Sequence, residues 1–409
     1  MSKDAPMRLR YFEQASNQRH ITAPDRYLYA RPTPRWRVNI IGTGTIGQEH
    51  MRVATLLGRA RVNGIFDSQS HSMDVAAQEF ASYSDTPLRR FDSLEDACMD
   101  NDADALIVCT PNHTHRDVLA TAIKGGKPVL LEKPMATTLR DAAAIVADAQ
   151  QYPQPIHVGL QYRFKAIYAE AEYELLQRRS IGQIHTLNLF EHRPPFLDKV
   201  GQWNKFSRCS GGTLIEKCCH YFDLLNRYAC ALPVSVFARG GQAVNFRDFE
   251  RDGAASDIMD HAMVFIEYAN GVKANFELNM FSPNFHEQLT VVGDDGRLTA
   301  RESFSPFQEQ QTRCDLRVEH DETAPARTTS IAHSKLIEQS GHHGATWFEH
   351  AAFLDRLEGK PGKVATPLEG FWSIVVGAAA EESARTGAPV EVAQLLASND
   401  LEHFLGEFT

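Results

Sequence analysis

The sequence predicts an α/β domain on a doubly wound parallel sheet, followed by an α+β domain with an open, mostly antiparallel sheet. Three observations carry this reading: a length of 409 residues, a regular alternation of short apolar runs with amphipathic stretches up to Leu160, and a change of rhythm after Tyr162. A chain this long exceeds what one hydrophobic core usually sustains, so two domains are expected. Its 43% hydrophobic and 23% charged residues are enough to bury a sizeable core.

In the first half, Val38 to Ile41 reads as a strand, Thr45 to Leu57 as a helix and Val62 to Phe66 as a second strand. A helix from Met73 to Phe80 follows, then a buried strand at Ala105 to Cys109 and a helix from Thr114 to Lys124. Val129 to Glu132 is the next strand, Thr138 to Gln150 a helix with Thr138 as N-cap, and Ile156 to Leu160 a closing strand. Strands and helices in such alternation stack as βαβ units.

Beyond Tyr162 a helix over Lys165 to Arg179 leads into longer, alternating strands at His185 to Phe190, Val234 to Arg239, Ala262 to Tyr268 and Lys273 to Leu278. Asn270-Gly271 marks a tight hairpin between the last two, and Asp294-Asp295-Gly296 marks another turn. Gln308 to Ser330 is polar and reads as a surface excursion. The expected units are an N-terminal extension over 1–35, a first domain over 36–160 and a second over 161–409. The extension carries Pro24, Pro32 and Pro34. It reads either as a loose tail or as an arm across a partner subunit, with Tyr27, Tyr29 and Trp36 to bury.

Composition narrows the function. A formal net charge of −10 disfavours the broad phosphate-tracking surface that nucleic-acid binding needs. No apolar run approaches the roughly 18–20 residues that span a bilayer, and Met1-Ser2-Lys3-Asp4 opens no secretory signal. The seven cysteines (Cys98, Cys109, Cys209, Cys218, Cys219, Cys230 and Cys314) contain no Cys-x-x-Cys pair. They indicate neither a disulfide framework nor a zinc knuckle, so no metal and a reducing cytoplasm are expected.

Gly42-Thr43-Gly44-Thr45-Ile46-Gly47 follows one strand and opens one helix, the context of a dinucleotide fingerprint. Gly42 permits the tight turn, Gly44 lets backbone approach a pyrophosphate, and Gly47 lets helix and strand pack closely. The helix N-terminus offers free N–H groups and a positive dipole end. Asp67 ends the second strand, 20 residues after Gly47, where a carboxylate accepts from ribose hydroxyls and repels an extra 2′-phosphate. These features describe a Rossmann domain that prefers NAD to NADP.

Three segments bear on chemistry. Thr110-Pro111-Asn112-His113-Thr114-His115 lies at the carboxyl end of a strand, where α/β sheets place ligands, and Glu132-Lys133-Pro134 ends the next strand. In the second half, Gly211-Gly212-Thr213-Leu214-Ile215-Glu216-Lys217-Cys218-Cys219-His220-Tyr221-Phe222-Asp223 runs from a glycine turn into a helix. Glu216 and His220 are four apart and share one helical face. Histidine titrates near working pH and can take a hydroxyl proton, while Lys133 can stabilise negative charge on the same oxygen. His220 also reads as a core histidine, since Tyr221, Phe222 and Leu224 surround it.

Together with Gly159-Leu160-Gln161-Tyr162-Arg163-Phe164 and Gly341-His342-His343-Gly344, these motifs resemble the glucose–fructose oxidoreductase/inositol dehydrogenase/MocA family from Arg37 to about Val390. The resemblance implies an NAD-dependent oxidoreductase moving hydride between a secondary hydroxyl of a sugar, glycoside or cyclitol and its cofactor. It implies a catalytic set of Lys133, Glu216 and His220, with substrate held by these three and Arg163. Cofactor contacts are expected from Gly42, Gly44, Thr45, Ile46, Gly47, Asp67, Thr110, Asn112, His115, Glu132, Lys133 and Gln161. The alternative for Arg163 is a structural residue of the domain junction, and Asp223 reads as a cap or brace of its helix. The chain departs from the family in having Glu216 where aspartate is usual and Cys218 where glycine is usual. A homodimer or homotetramer is expected, since an open sheet face invites a second copy. Two other functions share the fold: glycoside cleavage by transient oxidation on retained NAD, and a non-catalytic sugar or cofactor sensor, which would need neither Lys133 nor His220.

Overall fold

The computed structural model of the chain describes residues 33–196, 198–304, 312–320, 324–338 and 340–406. Tyr27, Tyr29 and the rest of the extension up to residue 32 lie outside the described residues. The first domain is a six-stranded parallel sheet. Its strands are β1 (Trp36–Ile41), β2 (Ala60–Phe66), β3 (Arg89–Arg90), β4 (Ala105–Val108), β5 (Val129–Glu132) and β6 (Ile156–Gly159), in the order β3-β2-β1-β4-β5-β6. Strands β4, β5 and β6 are buried at every position, the pattern of a parallel sheet covered on both faces. Helix α1 (Thr45–Leu57) leaves β1 through the glycine loop, and Thr138 caps α2 (Leu139–Gln151) by accepting from the Asp141 N–H.

The second sheet has nine strands, β7 (Ile184–His192), β8 (Pro233–Gly241), β11 (His261–Tyr268), β12 (Lys273–Asn279), β13 (Phe285–Gly293), β14 (Arg297–Phe304), β15 (Arg313–Glu319), β16 (Arg327–Ser330) and β17 (Val390–Glu391). The short strands β9 (Glu250–Arg251) and β10 (Ala254–Ala255) pair separately. Every pairing in the large sheet is antiparallel except β7 with β12. Asn270-Gly271 joins β11 to β12 with Gly271 in a left-handed conformation (φ 90°), as the hairpin signal requires. Two expectations are corrected. The polar stretch after Gln308 contains β15 and β16, because Leu316 and Val318 alternate inward and hold that edge to β14. The helix expected over Lys165 to Arg179 is α-helical from Ala166 to Glu172 and then widens to a π turn over Tyr173–Gln177.

Helices α3 (Thr213–Glu216), α4 (Cys219–Ala229), α5 (Ala345–Leu357) and α6 (Pro367–Thr386) knit the halves together. Phe353 and Leu354 of α5 enter the core formed by Val38, Ile40, Met51 and Leu57, so α5 packs on the first domain. Val158 of β6 bridges Ala365. This closure leaves the carboxyl ends of β1, β2, β4 and β5 facing the second domain across a cleft.

Candidate active site

The cleft encloses about 680 Å³ and is lined from both domains. At its first-domain end, Gly42 has φ 94°, and a Cβ there would lie 2.6 Å from the Cys109 carbonyl carbon. A Cβ on Gly47 would lie 2.0 Å from the Gly42 oxygen, so this residue serves strand–helix packing. A Cβ on Gly44 would meet nothing within 4 Å, which leaves the space a pyrophosphate needs. Gly44 is also the N-cap of α1 without a side-chain cap, so no side chain competes for the helix N–H groups. At the end of β2, Asp67 accepts from the Thr43 N–H at 2.7 Å through one oxygen and from the Gln69 N–H at 2.9 Å through the other. It still borders the cleft beside Ser68, Gln69 and Ser72, with lone pairs free for ribose hydroxyls. These residues fit a dinucleotide.

At the other end, Lys133 projects from β5 and its Nζ donates to the Glu216 carbonyl at 3.1 Å, across the domain boundary. Its backbone N–H donates to Glu132 Oε2 at 3.0 Å. Glu216 and His220 both line the cleft, although the helix breaks at Lys217-Cys218 between them. Glu216 Oε2 and His220 Nδ1 are buried with no hydrogen-bond partner, leaving an acceptor and an imidazole nitrogen for a ligand. Burial first, then the charges of Lys133, Lys217, His342 and Lys165, hold His220 well below the ordinary histidine range. It is therefore a neutral imidazole at neutral pH, the form that accepts a proton.

A buried ionic frame supports this end. Lys217 Nζ donates to the Tyr162 hydroxyl at 2.7 Å and lies 3.0 Å from Glu191. Lys165 lies 2.6 Å from both Glu287 and Glu302, and His343 Nδ1 is 2.7 Å from Glu302. Glu49, on α1, takes His342 at 2.7 Å and the Thr346 hydroxyl at 2.6 Å. Burial pushes the Glu49 carboxyl up, but His342 and Thr346 outweigh it and hold the pKa down to about 2.

Residues 36–160 match the model described as "Oxidoreductase family, NAD-binding Rossmann fold", and residues 173–392 match the C-terminal alpha/beta domain of the same family. The chain belongs to the Gfo/Idh/MocA oxidoreductase family. Among curated relatives it is 24% identical over 362 residues to scyllo-inositol 2-dehydrogenase (NAD(+)) of Bacillus subtilis (strain 168), covering 87% of this chain and 96% of that one. It is 26% identical over 365 residues to 1,5-anhydro-D-fructose reductase of Ensifer adhaerens, covering 88% and 98%. The fold is shared with levoglucosan dehydrogenase solved with NADH and L-sorbose, at TM-score 0.72 and 19% identity over 88% of this chain and 100% of that one. As in its family, this member binds NAD and is an oxidoreductase.

Of the residues expected at this member's site, Gly42, Gly44, Thr45, Ile46, Asp67, Thr110, Asn112, Glu132, Lys133, Glu216 and His220 line the cleft. Four expected ligand contacts do not, the first being Gly47, which packs the strand against the helix. Arg163 is buried in a two-pronged pair with Asp223 (2.6 and 2.5 Å) and also meets Glu369 at 3.1 Å, so it braces the junction and is not free to clamp substrate. Asp223 is thereby explained. His115 is buried with its ring nitrogens 2.8 Å from the Pro134 carbonyl and 2.9 Å from the Thr110 carbonyl, tying together the two loops that carry cleft residues. Gln161 is buried and is not among the lining residues, although its Oε1 has no hydrogen-bond partner among the described residues.

Lys199, Lys217, Lys165, Glu287 and Glu49 join the site without having stood out in the sequence. Glu49 carries a weak signal, lying two residues beyond Gly47 on the fingerprint helix. Lys199 carries none, because its loop has no periodicity. His50, Glu132 and Glu349 bring ligand-type atoms within 4.8 Å of one another beneath the cleft. His50 is already engaged, with Nε2 2.9 Å from Glu132 and Nδ1 2.7 Å from His350.

Proposed function

We propose that this chain is an NAD-dependent dehydrogenase that oxidises a secondary hydroxyl of a sugar, glycoside or cyclitol, or runs the reverse reduction. The observation that carries the reading is the meeting of Lys133 from β5 with Glu216 and His220 from the second domain at one end of a dinucleotide-shaped cleft. The bound nicotinamide supplies the acceptor for hydride from the carbinol carbon. His220 takes the hydroxyl proton, and its neutral state follows from burial among cations. Lys133 donates to the same oxygen and stabilises the charge that develops there. Glu216, with an oxygen free, grips a neighbouring hydroxyl. The test is NADH absorbance with a panel of sugars, glycosides and inositols. Reduction of NAD by at least one of them supports the reading, and none across the panel opposes it.

The same proposal includes a homodimer or homotetramer joined through the open face of the large sheet. On β11, Met263 is 61% and Phe265 41% exposed, facing outward beside Phe237 of β8. A sheet face with this much apolar surface gains by pairing with a copy of itself. A cytoplasmic location and the lack of a resident metal remain part of the reading, and the free cysteines accord with the first.

A further inference from the structure

One cation lining the cleft, Lys199, makes no direct ion pair among the described residues. Lys165 is balanced by Glu287 and Glu302, and Lys217 and Arg193 share Glu191 at 3.0 and 3.6 Å. Lys199 has no carboxylate at ion-pair distance among the described residues. The charges that act on it most are Glu216 and Lys133, and Lys133 bonds a carbonyl. Glu132 and Glu49 act on Lys199 more weakly, and among the described residues none of these three carboxylates reaches its ammonium. Holding a half-buried ammonium with no carboxylate in contact is costly, and burial pulls the Lys199 pKa down.

The loop that presents Lys199 is held with care. Gly201 (φ 68°) and the non-glycine Gln202 (φ 52°) both sit in the left-handed region. The turn is pinned by Gln202 N–H on the Lys199 carbonyl (2.7 Å), Lys205 on Asp198 (2.7 Å) and Arg251 on the Gly201 carbonyl. Trp203 lies under the Lys199 ammonium, 5.6 Å from it, and meets His113 of the first domain edge-on. Strain at a non-glycine residue persists where surrounding contacts over-determine it, and it collects at ligand clamps.

We propose that Lys199 receives a carboxylate carried by the substrate, so that the preferred substrate is a sugar acid, such as a uronate, an aldonate or a carboxylated cyclitol. The proposal rests on the dehydrogenase reading above and narrows it. A uronate places a secondary hydroxyl and a carboxylate on one ring, the first for Lys133 and His220, the second for Lys199. The cofactor pyrophosphate would be the other ligand anion in the cleft. Its place is the N-terminus of α1, whereas Glu216 and Lys133 put Lys199 at the hydride end.

The experiment compares wild type, Lys199→Met and Lys199→Arg as full chains, with matched probes: D-glucose against D-glucuronate and D-galactose against D-galacturonate. Turnover with NAD is read alongside calorimetric binding of each probe to the NADH-loaded protein, and NADH affinity is measured separately. The acids are expected to bind and react about 10- to 100-fold better than their neutral partners, the range of one charge-assisted contact. Lys199→Met should bring that ratio near one, and Lys199→Arg should restore part of it. Two results would overturn the proposal: neutral sugars favoured with a ratio that ignores Lys199, or a Lys199→Met loss confined to NADH affinity and equal for acid and neutral probes. If no sugar reduced NAD, the dehydrogenase reading would fail, while the binding ratios would still decide the role of Lys199.

Discussion

The imidazole of His220 lies flat on the phenol ring of Tyr162, with centroids 4.0 Å apart and planes 9° from parallel. Tyr162 is held in turn by Lys217 at its hydroxyl, and Lys217 by Glu191. The stack fixes the ring plane of the proposed base, and burial together with the cations around it keeps that base neutral. Lys133 comes from the end of β5, Lys217 from the helix break, Lys165 from the domain junction and His342 from the loop before α5.

This arrangement predicts a pH effect. His220 must be neutral to accept a proton, so activity falls on the acid side as it protonates. Replacing Lys217 by Met together with Glu191 by Gln removes one positive neighbour without stranding a buried carboxylate. The His220 pKa should rise, and the acid limb of the kcat/KM profile should move to higher pH. An acid limb that stays in place would show that Lys217 does not act on the base.

Asp67 should set the cofactor preference. NAD is expected to bind more tightly than NADP, because a 2′-phosphate would meet the Asp67 carboxylate at the end of β2. Asp67→Ala should narrow the gap, mainly by improving NADP. Titration of both cofactors by fluorescence checks this, and a wild type that favours NADP would contradict it.

Glu381 makes a second, unrelated pH prediction, on stability. It accepts from the Leu214 N–H at 2.8 Å beneath the glycine turn, and burial raises its carboxyl to about 7 from 4.5. Between those values the folded protein holds a proton that the unfolded chain has released. Its stabilising share is therefore complete below about pH 4.5 and is lost as pH rises through about 7, amounting to about 3 kcal/mol at most. Glu381→Gln should raise the melting temperature at pH 8 and change it little near pH 5. Equal effects at both pH values would refute the assignment.

Much of this could be read from residue order, and the limits have physical causes. The parallel sheet, the glycine loop and Asp67 follow from local pattern: apolar runs, turn residues and a fixed spacing on one strand–helix unit. Lys133 and His220 stand out in the sequence because each sits in a motif at a sheet or helix end. Arg163 was ambiguous, since its two carboxylate partners, Asp223 and Glu369, lie far along the chain and only folding brings them together. Lys199 carries no signal for the same reason: nothing in its loop says that it will line one cleft with Glu216 and Lys133. Edge strands β15 and β16 were missed because polar residues dominate an edge, and only Leu316 and Val318 mark its inner face.

Chelation should leave the enzyme active. His50, Glu132 and Glu349 could be taken for a metal site, but His50 is spent on Glu132 and His350. Treatment with EDTA followed by desalting should yield metal-poor protein with undiminished turnover. Activity lost to the chelator and restored by zinc would refute this.

The central claim is that Lys133 and His220 act on the substrate hydroxyl and do not merely hold the fold. The most direct measurement is turnover of Lys133→Met and His220→Asn, with NADH affinity and melting temperature taken on the same preparations. Each variant is expected to lose on the order of two to four decades in kcat, with cofactor affinity and melting temperature close to wild type. Near-normal turnover in either variant, or activity lost only in step with unfolding, would contradict the account.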